Sequence, residues 1–169
     1  MKRFILVLAV LSGFATSVFA QKSNGGKFSI GFEGGLPLGK TSNVSSYTIG
    51  GSFKYDQPVA ANFFITGSAG YTYFPYKSAI LSAYNLGRSG ESFIPIKIGA
   101  KAYFCRNFYG EGQLGLVIVT TTNGGTAFTY SPGIGYNFAK SVDLGMRYEG
   151  WEKSGNTVNQ LSLRLAYSF

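Results

Sequence analysis

Apolar and polar residues alternate with a period of two along nearly the whole chain after residue 20. The closing stretch, LSLRLAYSF, shows the pattern. Leu161, Leu163, Leu165, Tyr167 and Phe169 share one face, while Ser162, Arg164, Ala166 and Ser168 share the other. The same alternation predicts eight strands, over residues 28–36, 47–55, 62–73, 94–104, 108–118, 128–138, 142–149 and 161–169. Their usual length, about 10–12 residues, suits tilted membrane strands better than the ~5–6 residues of soluble ones. Aromatic residues gather at the ends of the apolar faces, as in Tyr71 and Tyr73, Phe104 and Phe108, or Tyr167 and Phe169. Side chains with an apolar body and, in Tyr, a polar tip suit a lipid–water boundary.

The connections alternate in length. Residues 39–46, 74–92, 120–126 and 152–157 form longer ones, and short turns are expected around Asp56-Gln57-Pro58, Cys105-Arg106 and Ala139-Lys140. Long loops on one side and tight turns on the other characterise outer-membrane barrels. The predicted fold is all-β: an eight-stranded antiparallel up-and-down transmembrane β-barrel. An even strand number places both termini in the periplasm. The last strand pairs with the first and removes both sheet edges, which explains a two-faced strand that runs to the final Phe169. Pro95 and Pro132 fall inside predicted strands and should produce bulges or early fraying there. Gly31, Gly99, Gly115, Gly133, Gly135 and Gly145 fall on the inward face, leaving room for large neighbours.

The start of the chain reads differently. Lys2 and Arg3, the apolar run Phe4–Leu11 and the sequence Val18-Phe19-Ala20 form a secretory signal peptide over residues 1–20. Residues 21–169 are then the barrel domain. No Cys follows the cleavage site, as a lipid anchor would need. The single Cys105 forms no intrachain disulfide, so stability must come from elsewhere, and closure of the sheet into a barrel is one way to supply it. Basic residues number 15 against 7 acidic. In an exported protein that excess favours anionic lipid surfaces, and its scatter gives no nucleic-acid signature. Histidine is absent, which removes Ser-His-Asp triads, Cys-His dyads and His-ligated metal sites. No cofactor and no metal are expected.

The hairpin IPIKIGAKAYFCRNFYGEGQLGL, Ile94–Leu116, joins an apolar strand ending in aromatics, a tight basic turn and a Y-G-x-G return. In this the chain resembles the small outer-membrane β-barrel proteins of the OmpA-barrel and OmpX type. It is closest in flavour to the outer membrane beta-barrel domain proteins of Bacteroidota-like bacteria. The resemblance covers residues 21–169. It implies a monomer in the outer membrane of a Gram-negative bacterium, surrounded by lipid and lipopolysaccharide. It also implies that Tyr167 and Phe169 act as the address read by the barrel-assembly machinery. Barrels of this architecture that deacylate or palmitoylate lipid A rely on histidine, so no enzymatic activity is expected. OmpA continues into a peptidoglycan-binding domain and this sequence does not, so cell-wall anchoring is not carried over.

Two sets of residues are candidates for function. The inward face carries Glu33, Lys54, Lys97, Lys101, Glu111, Asp143, Arg147, Glu149 and Arg164. Buried charges must pair or they cost several kcal/mol each, so these should form a structural salt-bridge network. The turn near Arg106 sets Lys101 opposite Glu111, predicting an ion pair, and Glu33 should meet Arg164 across the closing seam. The second set lies in the long third connection, where Tyr76, Tyr84 and Arg88 could bind a surface partner or help cap the barrel. The resulting reading is a non-enzymatic integral outer-membrane barrel with a side-chain-filled interior. It would act in envelope integrity, adhesion or loop-mediated surface binding. The alternative is a small pore or a transporter of a small ligand.

Overall fold

The computed structural model describes residues 25–84, 87, 89–121, 124–153 and 155–169. The signal-peptide expectation for residues 1–20 lies outside them. Eight antiparallel strands close in chain order into a barrel: β1 (Lys27–Leu38), β2 (Thr48–Ala60), β3 (Phe63–Pro75), β4 (Gly90–Tyr103), β5 (Phe108–Val119), β6 (Thr126–Asn137), β7 (Val142–Lys153) and β8 (Asn156–Ser168). β1 and β8 pair from Ser29↔Ser168 to Leu38↔Asn159, so no strand edge is left open. The final residue is held too. The Phe169 amide donates to the Phe28 carbonyl at 2.9 Å, and the Ser168 amide to the Ser141 carbonyl at 2.7 Å.

The alternation sorts residues as the sequence pattern requires. Phe32, Phe53, Ile98, Leu116, Leu165 and their like face outward and are exposed. The buried set is dominated by polar and charged side chains, among them Lys54, Lys97, Gln113, Glu149 and Arg164. This is the inverse of a water-soluble barrel, which buries its apolar face. One end of the barrel carries three tight turns and both ends of the barrel domain; the other carries the first, third and fifth connections, which are longer, and the β7–β8 hairpin. At the turn end, outward rings cluster in pairs: Phe28 with Tyr55 at 4.5 Å, Tyr136 with Phe138 at 5.1 Å and Tyr167 with Phe169 at 5.3 Å.

Several details depart from the sequence reading. The second turn is not at residues 56–58. β2 runs on to Ala60 and turns at Ala61-Asn62, with a register shift between Pro58 and Ala60. The proline is accommodated beside a bulge, where the ladder is already interrupted. The seventh connection is not long. β7 and β8 pair up to Lys153↔Asn156, leaving only residues 154–155 between them. Gly155 sits there at φ 80°, a left-handed conformation that glycine reaches without a Cβ clash. Pro95 and Pro132 produce neither bulges nor fraying. Each keeps its place in one ladder, opposite Val117 and Gly112. In the other ladder the pairing skips from Ala69↔Ile96 to Thr72↔Phe93, and from Tyr130↔Gly150 to Gly133↔Arg147, with register unchanged. A missing N–H silences a bond locally, and the paired strands on either side hold the alignment.

The longer connections fold back on one another. Gly39–Asn43 forms a 3₁₀ turn, and Ser78–Tyr84 a short helix, α1. The Lys77 amide donates to the Val44 carbonyl at 2.9 Å and its Nζ to the Ser42 carbonyl at 2.6 Å, joining the first and third connections.

Candidate functional site

The lumen is the chemically distinctive part of the molecule, and strand parity places every group in it. All nine predicted interior charges point inward, joined by Asp56, which the sequence reading assigned to a turn. Asp56 continues the inward series Ser52, Lys54 along β2, a parity signal that Pro58 obscured. Among the described residues these ten are five basic and five acidic side chains, so the set is balanced in formal charge.

The pairs run across the barrel as well as along its wall. At the turn end Lys101 Nζ donates to Asp56 Oδ2 at 3.0 Å. Lys54 Nζ contacts both carboxylate oxygens of Glu111 at 3.2 Å and lies 3.8 Å from Asp56 Oδ1. Lys101 and Glu111 are directly opposite in the β4–β5 ladder, as the turn predicts, yet each takes another ion partner. Tyr109 fills the space beside them. Its ring lies 4.0 Å from Lys101 Nζ and 5.7 Å from Lys54 Nζ, attracting both cations. The ring packs over Gly135, where any Cβ would overlap it.

Glu33 joins the middle layer. It accepts from Ser52 and Arg147 and lies 3.5 Å from Arg164 Nε, its partner across the seam. Arg164 also lies 3.9 Å from Asp143. Further toward the loop end, Glu149 receives Lys97 Nζ at 2.6 Å and Gln160 Nε2 at 2.9 Å, and stands 2.5 Å from Arg147 Nε. Every interior carboxylate therefore has a cationic neighbour.

Above this polar column lies an apolar cap that the sequence reading missed. Phe74, Phe93, Val117, Ala127 and Trp151 form a buried cluster inside the loop end. Trp151 stands 5.3 Å from Phe74 and 4.9 Å from Phe93, ring centre to ring centre. These residues also obey inward parity. The signal was present, but Phe74 and Trp151 lay at the margins of the predicted strands. A cavity of about 240 Å³ opens above the cap.

The predicted loop residues separate. Tyr76 lines the cavity and donates to Glu91 at 3.3 Å. Tyr84 ends α1, but its side chain and the whole of Arg88 lie outside the described residues. Tyr167 and Phe169 both point outward at the turn end, and Phe169 is 80% exposed. Cys105 is free and exposed in a turn. Among the described residues no cluster of His, Cys, Asp and Glu is arranged to hold a metal.

A charged, balanced lumen inside an outwardly apolar closed sheet defines an eight-stranded antiparallel barrel of the outer-membrane type. No protein-family model matches the chain, and no curated protein sequence matches it. Solved structures do. The attachment invasion locus protein Ail of Yersinia pestis aligns with 85% of this chain and 97% of its own at 16% identity, TM-score 0.61. The outer-membrane enzyme PagL covers 82% and 98% at 17% identity, TM-score 0.60. The N-terminal β-barrel domain of Pseudomonas aeruginosa OprF covers 85% and 97% at 12% identity, TM-score 0.52. The shared property is the fold of small outer-membrane barrels.

Proposed function

We propose that this protein is a non-enzymatic integral outer-membrane barrel with a closed lumen, its turn end and termini in the periplasm and its loop end at the cell surface. There it serves surface binding, adhesion or envelope integrity. The observation that carries the reading is the pairing of an apolar exterior with a lumen filled by ion pairs under an aromatic cap. An eight-stranded barrel is only wide enough for side chains to fill. The non-enzymatic part rests on the absence of histidine and on the partnering of each interior carboxylate by a base. Outer-membrane lipid and lipopolysaccharide are the surroundings that the apolar exterior and the basic balance favour. The Ile94–Leu116 hairpin supports the narrower kinship with Bacteroidota barrels.

The test has two readouts. The protein should fractionate with outer membranes and migrate differently on gels before and after heating. Reconstituted in planar bilayers, it should show small or no steady conductance. A large, steady conductance would raise the pore alternative above this reading, and recovery as a soluble periplasmic protein would end both.

Assembly provides a second prediction. The Phe169 ring is mostly solvent- or lipid-facing, and the residue's barrel contacts include one backbone bond to Phe28 and the Tyr167 ring. Deleting Phe169 should therefore leave in vitro refolding nearly unchanged, within about 1–1.5 kcal/mol. In cells it should sharply reduce the amount of folded barrel. Equal cellular levels of the deletion and the wild type would remove the address role proposed for Tyr167 and Phe169.

A further inference from the structure

We infer that one face of the turn end binds an anionic phospholipid, with Arg106 and Lys140 on its phosphate and the outward rings beside them against its acyl chains. This deepens the reading above and rests on it for placing this end at a membrane surface. The β4–β5 and β6–β7 turns are built alike. The Phe104 and Cys105 amides both donate to the Phe108 carbonyl, at 3.0 and 3.4 Å, and the Phe138 and Ala139 amides to the Val142 carbonyl, at 3.0 and 3.3 Å. Each turn carries its one basic residue, Arg106 or Lys140, at the same place, and both are exposed. Neither has a hydrogen-bond or ion-pair partner among the described residues.

The two turns stand side by side. Between them lie β5 and β6, where Phe108 is directly opposite Tyr136, both exposed on the outward face. The Asn137 amide donates to the Asn107 carbonyl at 2.9 Å and joins one turn to the other. Phe104 and Phe138 extend the row of rings on either side, with the Phe104 ring 6.3 Å from that of Phe108 and the Phe138 ring 5.1 Å from that of Tyr136. Two strand spacings, about 10 Å, separate the turn tips, so a long side chain from each can converge on one phosphodiester. Their apolar stems can lie along the rings while the charged heads stay at the level of the headgroups.

The sign of the partner follows from a full accounting of the acidic side chains, of which there are seven. Glu33, Asp56, Glu111, Asp143 and Glu149 lie in the lumen, where five cations match them. Glu91 and Glu152 lie at the loop ends of β4 and β7. A paired carboxylate keeps its charge, but none is left exposed at the turn end to oppose Arg106 and Lys140. Phe169, which carries the terminal carboxylate, bonds to Phe28 on β1, the side of β8 away from these turns. The β2–β3 turn, Ala61-Asn62, has no charge. Lys27, a third exposed cation at this end, stands opposite Asp56 in the β1–β2 ladder. The unopposed positive charge is therefore concentrated on the face that also carries the row of rings.

The experiment titrates phosphatidylglycerol or phosphatidylcholine of equal chain length into the folded protein in neutral detergent and reads the first lipid bound by native mass spectrometry. Phosphatidylglycerol should bind more tightly, by about fivefold for each contributing cation. Arg106→Gln and Lys140→Gln should each lose about that factor for phosphatidylglycerol and leave phosphatidylcholine unchanged. Lys27→Gln and Lys40→Gln, at exposed cations away from the face, should change neither. Inorganic phosphate in excess should not displace the lipid, because it has no chains to set against the rings. Heat-modifiable migration verifies that each variant is folded. The inference is overturned by equal affinities for the two lipids or by a loss as large in Lys27→Gln or Lys40→Gln as in the two turn variants. Displacement by inorganic phosphate would also overturn it, marking a site for free anions only. Labelling of the exposed Cys105 on intact cells by a bulky, impermeant maleimide would overturn the periplasmic placement of this end and leave the lipid preference standing.

Discussion

Replacing Glu149 with alanine is expected to destabilise the barrel by about 3–5 kcal/mol, the penalty for stranding a buried cation by removing its partner. Glu149 is 2% exposed and engages three groups: Lys97 at 2.6 Å, Arg147 at 2.5 Å and Gln160 at 2.9 Å. Arg147 keeps Glu33 as a second partner. Among the described residues Lys97 keeps only the Ser131 hydroxyl at 3.4 Å, so the cost falls mainly on Lys97. Urea unfolding in lipid vesicles, followed by Trp151 fluorescence, measures it as an earlier midpoint. Adding Lys97→Met should recover part of the loss, because the orphaned charge is gone and an apolar chain of similar length remains. Additive losses in the double variant would show that the two side chains are not coupled, and the closed-lumen reading would lose its main support.

Trp151→Ala should cost a similar amount, about 3–5 kcal/mol, for a different reason. Trp151 is 2% exposed and locks Phe74 and Phe93 into the cap. Truncation removes its contacts and leaves a void among rigid neighbours. Since the substitution deletes the only tryptophan, far-UV circular dichroism or heat-modifiable migration must follow unfolding. Trp151→Phe should cost much less, because the indole N–H has no hydrogen-bond partner among the described residues to lose. Conductance should remain small in Trp151→Ala, since the ion-paired column beneath the cap is untouched. A steady open channel in that variant would show that the cap alone closes the lumen.

These two layers differ in how far they could be read before the fold was known. Alternation in runs such as Leu161–Phe169 and Ile94–Ala102 assigned residues to inward and outward faces, and the ladders agree. Period-two geometry leaves no other arrangement once one face is apolar. Strand limits were less legible. Pro58 read as part of a short turn and residues 152–157 as a longer connection, yet the proline falls beside a bulge in a strand that runs on, and Gly155 lies in a tight hairpin. Local residue type signals a turn but not how close to it pairing continues. Asp56 and Trp151 were lost in those margins.

What the sequence by itself determined is the sidedness of every strand, the closure of β8 on β1 and the charged character of the interior. These follow from nearest-neighbour geometry along and between adjacent strands. Only the tertiary structure decided which charge meets which. Lys101 lies opposite Glu111 but bonds Asp56 on β2, and Glu111 turns to Lys54, also on β2. Lys97 on β4 reaches Glu149 on β7. A closed sheet of this curvature brings strands that are not neighbours within reach of long lysine, arginine and glutamate side chains. Partner choice then depends on the shape of the filled lumen, and no spacing along the chain encodes that shape directly.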